Sequence, residues 1–195
     1  MTRDEVLDYF REAGALLEGH FLLTSGLHSS VYLQAARVLM DAKRAEALCV
    51  ALAARVTTAL GADAADLVVS PAMGGILAGY ELARHLDLPS LFAERVDGAF
   101  QLRRGFEIAD GARVIMAEDI VTTGKSSREC IACIAAHGGR TVAATCLIDR
   151  SDGAADLGVP LIALAGFKVP AFPADALPAD LAAIPAVKPG SRGLV

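Results

Sequence analysis

Val114-Ile115-Met116-Ala117-Glu118-Asp119-Ile120-Val121-Thr122-Thr123-Gly124-Lys125-Ser126-Ser127 decides how the rest of this chain is read. An apolar run ends in two adjacent acids, a hydroxyl-rich turn with one glycine follows, and a helical pattern begins at once. A carboxylate accepts hydrogen bonds from a vicinal diol, and free backbone N–H groups at a helix start hold a phosphate dianion. Elements in this order suit a ribose phosphate. Gly124-Lys125-Ser126 also matches the end of a P-loop, but that loop needs a glycine five positions earlier, where Asp119 stands. An acid there would repel a polyphosphate. A plain capped β-turn-α connection accounts for Thr122, Thr123 and Ser126. It leaves two carboxylates at a strand end, where both need solvent or a ligand.

Outward from this stretch the pattern is βαβ. Residues 67–70 read as a short apolar strand, 71–75 as a loop, 76–86 as a helix and 89–93 as a strand. A long polar loop is expected over 97–105, then a strand at 113–117. A helix over 126–137 stops at Gly138-Gly139, and strands follow at 141–148 and 159–164. Strands alternating with helices predict a parallel sheet covered on both faces, with ligands at the carboxyl ends of the strands.

Upstream, Thr2 and Glu5 form a capping box, and Val6, Phe10, Ala13 and Leu17 repeat at helical spacing. This predicts a helix ending between 14 and 19. A Ser-Gly turn within 21–34 predicts a hairpin outside the main sheet. Asp41 caps a second helix with the stripe Ala45, Leu48, Cys49, Leu52, Val56 and Leu60, stopped by Gly61. After Lys168 five prolines occur up to Pro189, which predicts an extended arm with one short helix near Asp180.

With 195 residues, the chain fits one domain; 54% hydrophobic and 21% charged residues supply a sizeable core. Trp is absent, so alanine, leucine and valine must fill that core. The net charge of −5 argues against nucleic-acid binding, and an anionic substrate must be drawn in by a local basic patch. No apolar run reaches membrane-spanning length and no signal pattern opens the chain, so a soluble, cytoplasmic protein with no membrane partner is expected. Cys130 and Cys133 form a CxxC at helical spacing without a second ligand pair, and read with Cys49 and Cys146 as buried thiols.

Four blocks carry a resemblance. They are residues 19–26 (Gly-His-Phe-Leu-Leu-Thr-Ser-Gly), 70–75 (Ser-Pro-Ala-Met-Gly-Gly), Glu94-Arg95 through Leu102-Arg103-Arg104-Gly105-Phe106, and 114–127 with Asp149-Arg150 after them. The last resembles the phosphoribosyl pyrophosphate (PRPP) motif of type I phosphoribosyltransferases. The chain from about 14 to about 150 is similar to the orotate phosphoribosyltransferase family. The resemblance implies an α/β fold, a parallel sheet flanked by helices with a small N-terminal hood. It divides the single domain into a base-binding hood at 1–40, a PRPP-binding core at 41–168 and a Pro-rich arm at 169–195.

The implied activity is transfer of the phosphoribosyl group of PRPP to orotate, giving orotidine 5′-monophosphate and pyrophosphate in pyrimidine (UMP) biosynthesis. The alternatives are another purine or pyrimidine phosphoribosyltransferase and a non-catalytic PRPP-sensing regulator. By the resemblance, Thr122, Thr123, Gly124, Lys125 and Ser126 cradle the 5′-phosphate, and Glu118 and Asp119 hold the ribose hydroxyls. Asp119 also faces the developing positive charge. Met73, Gly74 and Gly75 form the pyrophosphate loop, where some family members carry a lysine in place of Gly74. Arg95 binds PRPP. The 97–105 segment corresponds to a lid shared between subunits of a homodimer; its usual lysine is absent, so Arg103 or Arg104 takes the catalytic place. Orotate falls to Ser25, Tyr32, Thr122 and Arg150, with Thr24 standing where the family often has lysine. Adjacent acids on a strand point to opposite sides, so no protein metal site is expected, and Mg²⁺ rides on PRPP and pyrophosphate.

Overall fold

A computed structural model describes residues 1–23 and 26–188. Helix α1 (Arg3–Glu12) opens on the predicted capping box, with Thr2 accepting from the Glu5 N–H and Glu5 accepting from the Thr2 N–H. It stops at Ala13, and Gly14 follows with φ +60°. Leu17 therefore lies not in the helix but in strand β1 (Leu16–Leu22), which pairs antiparallel with β2 (His28–Leu33). The Ala13-Leu17 spacing matched a helix only by chance, because a left-handed glycine turned the chain between them. A short helix α2 (Ala35–Leu39) then leads to α3 (Ala42–Leu60), which Asp41 caps by accepting from the Lys43 and Arg44 N–H groups.

The core follows as β3 (Leu67–Pro71), α4 (Gly75–Leu86), β4 (Ser90–Val96), β5 (Ala99–Leu102), β6 (Arg113–Val121), α5 (Lys125–Ala136), β7 (Arg140–Asp149) and β8 (Leu161–Gly166). The sheet order is β5-β4-β3-β6-β7-β8, parallel except for β5. The connection from β3 runs one way to β4, and that from β6 runs the other way to β7. The crevice between β3 and β6 is thus the point where strand order reverses, the place where such sheets bind ligands. Ile115 and Ala117 face a core shared with Leu48, Leu52, Ala78 and Leu82, while Val114 and Met116 face Cys130, Cys133 and Ile134 of α5. Alternate residues of β6 thus serve opposite layers.

Two expectations need correction, and a third, the arm with its short helix near Asp180, is met and extended. The polar loop over 97–105 is a hairpin: β5 pairs with β4 from Val96↔Ala99 to Ala93↔Leu102 around a two-residue Asp97-Gly98 turn with φ +49° and +87°. An Asp-Gly pair was the turn signal, masked by the polar composition around it. Strand β6 runs four residues past 117, because β7 stays paired with it as far as Val121↔Asp149. The arm does not stand apart. Its strand β9 (Ala171–Phe172) adds to β2, and after α6 (Ala179–Ala182) Val187 exchanges backbone hydrogen bonds with His20 and Leu22. The Ile184 carbonyl accepts from His20 Nδ1 at 2.7 Å, and His20 Nε2 and His28 Nδ1 share a hydrogen bond at 2.6 Å. All four cysteines are buried and free, and burial pushes the Cys49 thiol up to about 12.

Helix α4 sits unusually close to the strands. A Cβ on Gly75 would lie 2.9 Å from the Ala117 carbonyl oxygen, and one on Gly79 would overlap the Ser70 hydroxyl. Gly75→Ala is therefore expected to cost about 1–3 kcal/mol, as overpacking does, read as a lower urea midpoint with an unchanged slope.

Candidate active site

The turn after β6 is held by local chemistry. Gly124 is the N-cap of α5 with φ +72°, and a Cβ there would overlap Leu157. Arg128 donates to the Thr123 carbonyl at 3.0 Å and the Asp156 carbonyl at 2.9 Å, and the Thr123 hydroxyl accepts from the Lys125 N–H at 3.4 Å. The Lys125 N–H is thus engaged, and the next N–H groups of α5 are the ones that face outward to an anion, as at any helix start.

Two cavities meet at this turn. One, of about 520 Å³, is lined by Glu118, Thr122, Thr123, Gly124, Lys125, Ser126, Arg95 and Glu129. The other, of about 640 Å³, is lined by Tyr32, Arg150, Leu22, Leu27, Val169 and Ala171 together with Thr122, Thr123 and Lys125. The three shared residues form the ridge between them. The first cavity is polar and ends on a helix N-terminus; the second is walled largely by apolar side chains, with the cations Arg150 and Lys125.

Glu118 and Asp119 leave β6 on opposite faces. Glu118 turns to the α5 side and accepts from the Ser127 hydroxyl. Asp119 turns to the α4 side, where its Oδ2 would lie 2.8 Å from a Cβ on Gly74, and it accepts from the Ile120 N–H at 2.8 Å. Gly74 thus leaves the room that Asp119 fills, which is why a lysine at this place would displace the acid. Burial pushes Glu118 up to about 7, opposed by its hydrogen bond from Ser127, with Asp119 adding to the rise. Burial raises Asp119 as well.

Arg95 lies over the Phe100 ring at 4.2 Å and donates to the Gly98 carbonyl at 2.5 Å and to Glu129 at 2.6 Å. Arg103 and Arg104 line neither cavity. Both pair with Glu94, Arg104 at 2.8 Å and Arg103 at 3.8 Å, because β5 carries them back along β4, away from its carboxyl end. Met73 is 82% exposed and also stands outside both cavities. Ser25 and Thr24 fall outside the described residues.

Arg150 ends β7 beside Tyr32. Its Nε is buried with no partner among the described residues, and burial lowers its pKa while Tyr32 acts the other way. The turn that presents it is built by Asp149, whose carboxylate accepts from the Ser151 N–H at 2.8 Å, the Ser151 hydroxyl at 2.6 Å and the Gly153 N–H at 2.7 Å. A buried guanidinium with an unmade hydrogen bond is costly unless a ligand completes it. From sequence alone, Gly98, Glu129, Val169 and Ala171 carry no role, and Asp149 enters only beside Arg150. Glu129 has just the spacing of an ordinary i,i+4 partner of Lys125, and Val169 and Ala171 sit in a proline-rich stretch that gave no sign of folding back.

Among the described residues, His, Cys and carboxylate groups converge only at Glu46, Glu81 and His85. Arg84 already fills that cluster, at 2.9 Å from Glu46 and 2.6 Å from Glu81.

The chain and its fold are similar to those of known proteins. A family model of the phosphoribosyl transferase domain matches residues 38–158. Orotate phosphoribosyltransferase of Maricaulis maris (strain MCS10) is 61% identical over 194 residues, covering 100% of both chains. That of Caulobacter vibrioides (strain NA1000 / CB15N) is 60% identical, covering 100% of this chain and 99% of its own. The crystal structure of orotate phosphoribosyltransferase from Aeropyrum pernix superposes with a TM-score of 0.72 at 28% identity, covering 83% of this chain and 93% of that one. The chain belongs to the orotate phosphoribosyltransferase family.

A pH dependence follows from Glu118. Its folded value of about 7 lies above the ordinary 4.5, so between the two the folded protein keeps a proton that the unfolded chain has released. This contribution to stability is complete below pH 4.5 and is lost as pH rises through about 7. Glu118→Gln, fixed in the neutral form, should flatten that fall. The check is the difference in urea midpoint between pH 5 and pH 8 for both proteins.

Proposed function

We propose that this protein transfers the phosphoribosyl group of PRPP to orotate, releasing pyrophosphate and forming orotidine 5′-monophosphate for pyrimidine synthesis. The observation that carries the reading is the ridge of Thr122, Thr123 and Lys125 common to both cavities. A ribose phosphate on one side and a planar anionic base on the other meet over it, which brings the ring nitrogen to the anomeric carbon. The new C–N bond forms as the C–O bond to pyrophosphate breaks and its electron pair leaves with the pyrophosphate; the ring nitrogen loses its proton. No covalent link to the enzyme is needed.

The 5′-phosphate sits on the α5 N-terminus. Glu118 accepts from the ribose hydroxyls, and Asp119, on the other face beside the pyrophosphate loop, stabilises the positive charge that grows on the sugar. Arg95 and Lys125 both line that cavity, and Arg95, which stands outside the turn, is assigned to the remaining phosphoryl oxygens. Arg150 and Tyr32 hold the base, the guanidinium fork meeting its oxygen-rich edge. The two acids diverge, which supports reading Mg²⁺ as part of the Mg·PRPP substrate.

Arg103 and Arg104 serve catalysis across a homodimer, because β5 turns them away from their own cavity. An exposed apolar stripe on and just before α4 supports such a pairing: Met73 is 82% exposed, Leu77 51% and Tyr80 63%, at i, i+4 and i+7.

A steady-state assay with Mg·PRPP and a panel of free bases tests the reading. Turnover is expected with orotate and not with uracil, adenine or hypoxanthine; PRPP binding without turnover would favour a sensing role. Arg150→Ala should raise the KM for orotate at least about tenfold and that for PRPP less than about twofold, as loss of a charged hydrogen bond predicts. Mixing inactive Arg104→Ala with inactive Asp119→Asn should restore activity through hybrid dimers if the lids are shared; no recovery would place both residues in one subunit's site.

A further inference from the structure

The ribose-phosphate cavity contains one carboxylate with no role in the transfer just described. Glu129 stands one turn after Lys125 on α5 and lines the same cavity as Arg95. It accepts from Arg95 Nη2 at 2.6 Å, and its other oxygen lies 3.9 Å from the Lys125 ammonium. The hydrogen bond from Arg95 holds its carboxyl below the ordinary range, with the charges of Arg95, Lys125 and Arg128 acting the same way. Glu129 is thus an anion at every working pH, placed where the cavity must receive phosphoryl oxygens.

Holding Arg95 does not require it. That guanidinium also donates to the Gly98 carbonyl at 2.5 Å and lies 4.2 Å over the Phe100 ring. A carboxylate that is dispensable for posture, yet adjacent to both cations, acts chiefly as a competitor. The pair is 40% and 36% exposed, so exchange of partners meets little resistance.

We propose that Glu129 is a positioning residue that holds Arg95 between turnovers, gives it up to the phosphoryl oxygens of PRPP, and takes it back as pyrophosphate leaves. The carboxylate thereby weakens the grip on pyrophosphate and keeps the product from lingering. This rests on the ribose-phosphate reading of the cavity.

The test is calorimetry with Mg·pyrophosphate, and inhibition by it, for wild type and for Glu129→Gln, Glu129→Asp, Arg95→Ala and the Arg95→Ala/Glu129→Gln pair. Thermal unfolding checks the fold of each variant. The amide keeps an oxygen for Arg95 and removes only the charge. Pyrophosphate should bind Glu129→Gln about threefold to tenfold more tightly than wild type, the size expected for one like charge removed near the surface. The KM for PRPP should fall in parallel. Both effects should shrink at 0.5 M salt, disappear in the Arg95→Ala background, and be absent in Glu129→Asp, which keeps the charge. Unchanged or weaker pyrophosphate binding by a folded Glu129→Gln overturns the proposal, as does tightening by Glu129→Asp to the same degree. Wild type that binds no pyrophosphate at all would instead overturn the reading of the cavity itself.

Discussion

A strand sends consecutive side chains to opposite faces of its sheet, and the site depends on this constraint. Glu118 and Asp119 are neighbours in the chain but belong to different layers, one under α5 and one under α4. They can be solvated only because β6 parts from β3 after Met116 while staying paired with β7 as far as Val121. The parting opens the sheet at the point where strand order reverses. Two helix N-termini flank that opening, and their positive ends offset the cost of setting carboxylates and phosphates so close together. Burial nonetheless raises the pKa of both acids.

Small residues allow the helices to come this near. Gly75 and Gly79 lie one turn apart on α4 and leave no space for a methyl group against β3 and β6. Gly74 leaves room for the Asp119 carboxylate. With glycine there and no cation, positive charge must come from Arg95 and from residues farther away. Glycine spacing and charge distribution are thus one decision in this chain.

The central motif was legible because its signals are local: apolar alternation, adjacent acids, and a capped helix start within fourteen residues. The α3 helix was equally plain, since Asp41, a six-residue stripe and Gly61 all agree. What escaped the sequence was long-range. Nothing in Val169 or Ala171 says that they will wall a cavity with Tyr32, because that depends on β9 joining β2. The 97–105 segment was misread for a related reason. Its polar composition spoke for a loop, whereas cross-strand pairing with β4 decided for a hairpin. Arg103 and Arg104 then went with the ladder, to Glu94 and away from the cavity.

The returning arm bears on how the chamber for the base comes into being. Its walls join partners far apart in the chain: Ser29 with Pro170, and His20 with Ile184. Contacts of such long separation form late, after the sheet between them is in place. Before residues 170–187 join the 20–29 region, the chain already owns the phosphate-gripping turn. It lacks the enclosure in which a pyrimidine can be held, so ordering of the arm and readiness for the base are one event.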